Sequence, residues 1–226
     1  LGVLDIGSNT IHMLIVDAAP GARPDPEAST KSTVRLMQYV KDDGSIKKSG
    51  IEAILTAVDQ CMELAEEYDI TQLLAMATSA IKEAPNSNKI LRKIEERIGQ
   101  SVTVLSGTDE ARLTFLAARR WYGWDAGRLL MLDIGGSSLE VAMGSDEEPT
   151  VALSAAAGAC RITREYLPEG TASVDELEVV RKKVRRILEP MVDAFPKSKH
   201  PAHAVGTSKT FRSLARLAGA VLRQSG

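Results

Sequence analysis

One short pattern occurs twice in this chain, as Leu4-Asp5-Ile6-Gly7-Ser8-Asn9 near the start and as Leu132-Asp133-Ile134-Gly135-Gly136-Ser137-Ser138 past the middle. Each copy sets an apolar run (Leu1 to Ile6; Leu129 to Ile134) before an aspartate, a glycine turn, small hydroxyl or amide side chains and a second apolar run. Such a recurrence restricts the chain to folds built from two related lobes. Glycine lets a backbone turn sharply and approach a ligand closely, and the successive N–H groups of such a turn can surround phosphate oxygens. An aspartate at the strand end adds a hard oxygen ligand for Mg²⁺ or a partner for its bound water. A single Asp-x-Gly is an ordinary turn former. The repetition is what supports a phosphate clamp closed from both sides. After the turn the copies diverge: the first carries His12 in Ile11 to Val16, the second Glu140 in Leu139 to Ala142, so only the second gains another acid.

With 226 residues and 44% hydrophobic content, each of two lobes can build its own core. No stretch approaches the roughly 20 apolar residues of a membrane helix, and the start lacks the zones of a secretory signal. Leu1 is not an initiator methionine, which suggests a segment removed upstream and leaves a short targeting peptide open. Cys61 and Cys160 stand far apart without a C-x-x-C or a nearby histidine, so neither a disulfide scaffold nor a zinc site is indicated; two isolated thiols fit a reducing cytoplasm. A net charge of −2 excludes nucleic-acid binding through global basic charge, so any polyanion must be held by local cations.

Along the chain, Ala18 to Thr30 is expected to be an exposed loop and Thr33 to Val40 a third strand. Helical spacing runs from Ile51 through Ile54, Leu55, Val58, Met62 and Ala65. Leu73 to Ala77 is a short strand leading to a helix start at Thr78 to Lys82; Asn86 to Ile98 is a helix, Val102 to Leu105 a strand, and Ser106 to Glu110 opens a helix reaching Arg120. In the second half come strands at Leu129 to Ile134, Leu139 to Ala142 and Thr150 to Leu153, and a helix at Gly158 to Leu167. A clearer helix follows through Leu177, Val180, Val184, Ile187, Leu188 and Met191, then a strand at Ala202 to Val205 and a helix at Lys209 to Ala220. Alternating strands and helices indicate α/β lobes. The boundary falls near Trp121 to Gly127, giving an N-terminal lobe over 1–123 and a C-terminal lobe over 124–226. Leu214, Leu217, Val221 and Leu222 keep a helical apolar pattern to the last residues, so the second lobe reads as truncated.

Five elements in order resemble the exopolyphosphatase and guanosine pentaphosphate phosphatase (Ppx/GppA) family. They are Asp5 to Thr10, Ala77-Thr78-Ser79-Ala80 with Asn86, Ser106-Gly107-Thr108-Asp109-Glu110-Ala111-Arg112-Leu113, Asp133 to Glu140, and Gly206-Thr207-Ser208. The stretches Leu113 to Ala117, Arg119 to Trp124 and Ser208 to Ala215 are most similar to the short actinobacterial exopolyphosphatases. The resemblance implies a two-lobed fold of the actin, hexokinase and heat-shock chaperone (ribonuclease H-like) type, with duplicated lobes and a cleft between them. It implies release of terminal orthophosphate from inorganic polyphosphate with Mg²⁺ or Mn²⁺, a place in the stringent response, and Glu110 as the catalytic base. That chemistry is sensible, because water is a poor nucleophile at neutral pH until a carboxylate orients it and takes its proton.

Several residues carry competing readings. Asp109 and Glu110 also suit a helix first turn, where acids are favoured by capping and by the helix dipole. Arg112 is expected to orient a neighbour or close an ion pair. Asp133 and Glu140 are assigned to the metal, with Asp5 as a weaker third ligand; the plain alternative is a turn former and an exposed strand acid. Ser8, Asn9, Gly135, Gly136, Ser137 and Ser138 are assigned to phosphate cradling. Ser137 replaces a glycine usual in the family, which predicts restricted backbone or crowding of the phosphate. Lys82 replaces a usual arginine and loses its planar fork. Lys209 is expected either to hold the phosphate tail or to be a solvated helix-start lysine. The Lys182, Lys183, Arg185, Arg186 face and the Lys197, Lys199 pair read first as solvated surface and second as a guide for polyanions. His12, His200 and His203 receive no role. Besides exopolyphosphatase, two functions stay open: guanosine pentaphosphate hydrolysis, and non-catalytic sensing of polyphosphate or nucleotide. Expected partners are the phosphate-chain substrate and no nucleic acid or membrane, with a homodimer as an open assembly state.

Overall fold

The computed structural model describes residues 1–18, 25–168, 170–196 and 200–220. Part of the expected first loop (19–24), the Lys197, Lys199 pair and the Val221, Leu222 end of the last apolar pattern lie outside the described residues. The chain forms two compact units, Leu1–Leu105 and Ser106–Gly226.

In the first unit, β1 (Gly2–Ile6), β2 (Thr10–Val16) and β3 (Pro26–Thr33) form an antiparallel meander, and β4 (Leu73–Ala77) and β5 (Thr103–Val104) extend it in parallel, giving the order β3-β2-β1-β4-β5. Strand alternation buries Leu4 and Ile6 of β1 and Ile11, Met13 and Ile15 of β2. Helix α1 (Lys48–Glu67) places Ile51, Ile54, Val58, Cys61 and Ala65 on one face and packs on β2 and β3. The short α2 (Ser79–Lys82) precedes α3 (Ser87–Ile98), which buries Ile90, Ile94 and Ile98 and ends at Gly99 with φ +71°. Asn86 fixes the start of α3: its Oδ1 accepts from Ile46 N–H (3.0 Å) and its Nδ2 donates to Ile46 O (2.9 Å).

The third strand lies earlier than its apolar content suggests. Pro26–Thr33 is an edge strand paired only with β2, while Leu36–Tyr39 is a 3₁₀ turn that buries Leu36 and Met37. An edge strand needs backbone pairing and little burial, so a polar run suffices. The apolar residues that looked like strand serve to plug the core.

In the second unit, β6 (Leu129–Ile134), β7 (Leu139–Gly144) and β8 (Val151–Ala155) form a second antiparallel meander, and β9 (His203–Gly206) joins β6 in parallel, giving β8-β7-β6-β9. Helix α4 (Gly107–Tyr122) covers one face, where Ala111, Phe115 and Ala118 pack with Leu129, Met131, Ala142 and Val205. The other face gathers Leu139, Val141, Leu130, Leu132 and Leu153 against Leu188 and Met191 of α6 (Val174–Asp193). Helices α5 (Ala159–Tyr166) and α7 (Lys209–Leu217) complete the unit. Lys182, Lys183, Arg185 and Arg186 are exposed on α6.

The boundary falls between Leu105 and Ser106, not near residue 123, because the buried face of α4 belongs to the second sheet. Arginines reinforce that attachment. The buried Arg119 donates through Nη1 to Gly127 O (2.8 Å) and Ser145 O (2.7 Å), Arg120 pairs with Glu147 (2.8 Å), and Arg112 closes an ion pair with Glu148 (2.9 Å), which hold the β7–β8 turn to α4. The pairing of Arg112 agrees with its expected role.

Candidate active site

The turn after β6 is pinned from one side. Gly135 O accepts from Ala159 N–H (2.9 Å), Gly136 O from Arg161 N–H (3.0 Å), and Ser137 O from Gly158 N–H (3.1 Å). A trans peptide is planar, with its N–H opposite its C=O. Tying three successive carbonyls to the start of α5 therefore turns the N–H groups of Gly136, Ser137 and Ser138 the other way. None of them donates to a backbone carbonyl among the described residues. Successive N–H groups left facing one way are an arrangement that can receive an anion. The close approach depends on Gly158, where a Cβ would lie 2.4 Å from Ser137 C and Ser138 N.

Ser137 imposes no strain here. The only non-glycine residues with positive φ among those described are Arg35 and Asp69, so position 137 does not require glycine. The side chains of Ser137 and Ser138 are buried, and the Ser138 hydroxyl hydrogen-bonds to Glu140. Ser138 Oγ is thus engaged by the neighbouring acid, which leaves backbone donors as what the turn can offer a ligand.

A row of polar side chains runs across the same sheet. Asp133 of β6 faces Glu140 of β7, which faces Ser154 of β8. Directly opposed residues put their side chains on one face within about 5 Å at Cβ. Ser154 Oγ donates to Glu140 Oε1 (2.8 Å), and Thr207 Oγ1, just past β9, donates to Asp133 Oδ2 (2.7 Å). Burial pushes the Glu140 carboxyl above its ordinary range; the hydroxyls of Ser138 and Ser154 pull it down, and Asp133 pushes it up. Gly107 of α4 presses on Ser154, a Cβ there lying 2.4 Å from both Ser154 Cβ and Oγ. The first turn of α4 is thereby set on the Ser154 end of the row.

That turn separates two adjacent acids. Asp109 forms a capping box with Ser106: Ser106 N–H and Oγ donate to Asp109 Oδ2 (3.2 and 2.5 Å), and Asp109 N–H donates to Ser106 Oγ (3.1 Å). Helix initiation accounts for Asp109. Glu110 is half-buried and lies outside the box, its N–H donating to Ser106 O (2.9 Å). Lys209 is exposed at the first position of α7, two residues beyond Thr207.

The first unit repeats the layout with different side chains. Gly7 N–H donates to Thr10 O (3.0 Å), while Ser8 O accepts from Leu36 N–H (2.8 Å) and Asn9 O from Val34 and Arg35 N–H (both 3.0 Å). Asp5 faces His12, and His12 faces Lys31. Crowding by neighbouring protein raises the Asp5 carboxyl against the pull of His12 and Lys31, although solvent still reaches the residue. His12 is lowered, by burial first and by Lys31 second, with Asp5 opposing. Lys82 is exposed at the end of α2. Among the described residues no group of three or more His, Cys, Asp or Glu side chains is arranged to hold a metal. Asp133 and Glu140 form a pair, and Asp5 keeps its own neighbours in the first unit.

Sequence reasoning missed Ser154 and Thr207 as members of these rows, and it set His12 in the place of Glu140 without giving it a role. Thr207 stood in a recognised motif, but its attachment to Asp133 and that of Ser154 to Glu140 depend on strand register. The thiol of Cys61 is pushed up to about 11 by burial, and the His203 ring stacks on Tyr122 with centroids 6.4 Å apart, so both have structural roles.

Two copies of a β-meander with a parallel extension, each carrying an aspartate before a glycine turn, define a protein of the duplicated ribonuclease H-like, actin-related class. Within that class the chain belongs to the Ppx/GppA phosphatase family, whose profile matches residues 14–225. It is 47% identical over 227 residues to Exopolyphosphatase 1 of Mycobacterium tuberculosis, covering 100% of this chain and 66% of the relative. Exopolyphosphatase 1 of Mycobacterium leprae is 45% identical over 226 residues, covering 100% of this chain and 67% of the relative. The crystal structure of an exopolyphosphatase from Cytophaga hutchinsonii superposes with a TM-score of 0.86 at 26% identity, over 96% of this chain and 69% of that one. The chain thus spans about two thirds of the length of the relatives it matches.

Proposed function

We propose that this chain carries the catalytic part of an exopolyphosphatase, which releases terminal orthophosphate from inorganic polyphosphate. The observation that carries the reading is the tying of the Gly135, Gly136 and Ser137 carbonyls to the start of α5, which leaves a nest of N–H groups at Gly136, Ser137 and Ser138 beside the aligned Asp133 and Glu140. Phosphoryl transfer needs positioning and charge neutralisation more than covalent chemistry. The nest supplies donors fixed before substrate arrives, suited to oxygens of the phosphate chain. Glu110 orients a water and accepts its proton as the water oxygen bonds to the terminal phosphorus and the bridging P–O bond breaks. The departing chain takes the electron pair.

Asp133 and Glu140 fit a divalent cation, because Mg²⁺ is commonly held by one or two carboxylates together with substrate phosphates and water. When bound there, Mg²⁺ or Mn²⁺ supplies positive charge to the phosphoryl oxygens. Ser154 and Thr207 each donate to one carboxylate oxygen and so orient the pair. Glu140 is disfavoured as an anion while the cation is absent and becomes favoured once the cation supplies the opposing charge. Two free cysteines accord with a cytoplasmic setting.

The test is phosphate release from long-chain polyphosphate with Mg²⁺, run beside guanosine pentaphosphate at equal concentration. Glu110→Gln should lower kcat by roughly 10²–10⁴-fold with chain binding retained. Undiminished turnover in that variant rejects the base. Preferred cleavage of guanosine pentaphosphate, or binding without any release, rejects the proposed activity.

A further inference from the structure

Arg161 bonds the second glycine turn twice, and the reading above uses only the backbone bond. Besides its N–H on Gly136 O, its guanidinium Nε donates to Ser137 O at 2.9 Å. Among the described residues, Ser137 O receives two donors, Gly158 N–H and Arg161 Nε, beside the single backbone donors on Gly135 O and Gly136 O. The side chain is largely buried, and Nη1 lies 3.8 Å from Glu165 Oε1, one helical turn along α5.

The doubly held peptide is the one whose orientation matters most. Its C=O and the N–H of Ser138 are opposite ends of one plane, and that plane turns over by paired changes in ψ of Ser137 and φ of Ser138. Turned over, the plane would present a carbonyl oxygen to an anion where a donor is needed. The second donor, Arg161 Nε, falls on the oxygen that must stay on the α5 side.

We infer that Arg161 is a positioning residue that locks the Ser137–Ser138 peptide, so that Ser138 N–H faces the phosphate chain while the guanidinium stays behind the turn. This rests on reading the turn as a phosphate cradle. The role belongs to the donor at Nε and not to the charge, which separates it from an arginine that grips phosphate.

Side-chain geometry supplies the test. Glutamine places its amide nitrogen at the fourth side-chain position, where arginine has Nε; methionine places a methyl there, and lysine a methylene with the charge one atom further on. For phosphate release from polyphosphate, Arg161→Gln should keep KM within about threefold of wild type. Arg161→Met and Arg161→Lys should raise KM by roughly ten- to a hundredfold with much smaller changes in kcat, since the cradle grips the same oxygens before and during reaction. Without ligand, amide hydrogen exchange at Gly158, Ala159 and Arg161 should quicken in Arg161→Met and Arg161→Lys and stay slow in Arg161→Gln. A glutamine variant as weak as the methionine one would assign the effect to charge and overturn the inference. So would unchanged exchange in both the methionine and lysine variants. Wild-type protein that neither binds nor cleaves polyphosphate, with the exchange pattern as expected, would sink the proposed function and leave the peptide lock standing.

Discussion

Replacing Gly107 by alanine sets a favourable local effect against an unfavourable contact, and the distances decide between them. Alanine is the better helix former by up to about 1 kcal/mol. Its Cβ, however, would stand 2.4 Å from Ser154 Cβ and Oγ, about 1 Å inside ordinary contact. Neither Ser154 Cβ nor the first turn of α4 can yield cheaply, one being fixed to the sheet and the other by the Ser106–Asp109 box. Overpacking of this kind costs roughly 1–3 kcal/mol. Movement of Ser154 also weakens its 2.8 Å bond to Glu140, a bond to a carboxylate of the sort worth about 1.5–3 kcal/mol. The clash and the lost bond therefore exceed the propensity gain. Gly107→Ala should be destabilised by about 2–4 kcal/mol, a fall of roughly 5–15 °C in the melting of the second unit. Adding Ser154→Gly removes the obstructing atoms, so the double variant should melt above Gly107→Ala alone, while Ser154→Ala, which keeps Cβ, should give no relief. Thermal unfolding of wild type, Gly107→Ala, Ser154→Gly and their double variant yields the coupling directly. A Gly107→Ala protein as stable as wild type would refute the placement of α4 on the Ser154 end of the acid row.

Glu140→Gln should raise the melting temperature by a few degrees at about pH 8 in the absence of divalent cations, while reducing phosphate release. The native pKa of Glu140 is raised, so wild type keeps its full stability below the unfolded value and loses part of it as pH rises through the native one. The advantage of the glutamine should accordingly vanish towards about pH 4, and a difference independent of pH would contradict the assigned burial effect. Phe115→Ala removes a fully buried ring and should cost about 3–5 kcal/mol. Hydrogen exchange should show that loss in β6, β7 and β9 while the α1 and α3 amides keep their protection; equal loss in both units would place α4 wrongly.

What the sequence made legible depended on whether burial or pairing shaped each segment. Both glycine turns, the two long helices and the central strands declared themselves because each must hide apolar side chains with a fixed period, as α1 does through Ile51, Ile54 and Val58. The edge strand Pro26–Thr33 carried no such signal, and Val34 and Leu36 drew the expected strand towards them. The unit boundary was misplaced for a related reason. Trp121 to Gly127 has the look of a linker, but the apolar face of α4 does not say in sequence which sheet will cover it. Within the candidate site, residue types pointed to Glu110, Asp133 and Glu140. Their hydroxyl partners were hidden, because Ser154 and Thr207 meet the acids only through register and strand order. The substitution of serine for glycine at 137 suggested strain that the ordinary backbone there does not carry.

Comparing the two rows shows why one scaffold used twice need not perform one chemistry twice. In the first unit Asp5 is followed across the strands by an imidazole and an ammonium, so the negative charge is offset within the sheet by Lys31 and, when protonated, by His12. In the second unit Asp133 is followed by Glu140 and Ser154; two carboxylates stand side by side with only hydroxyl donors at the ends of the row. Like charges at that spacing on a mostly buried sheet face repel, and hydroxyl dipoles relieve the repulsion only in part. A divalent cation relieves it fully, whereas beside Asp5 it would meet Lys31 as well. On the proposed reading, the second copy is therefore where metal and phosphate charge would be brought into balance, and the first would hold phosphate with its turn and its own cation.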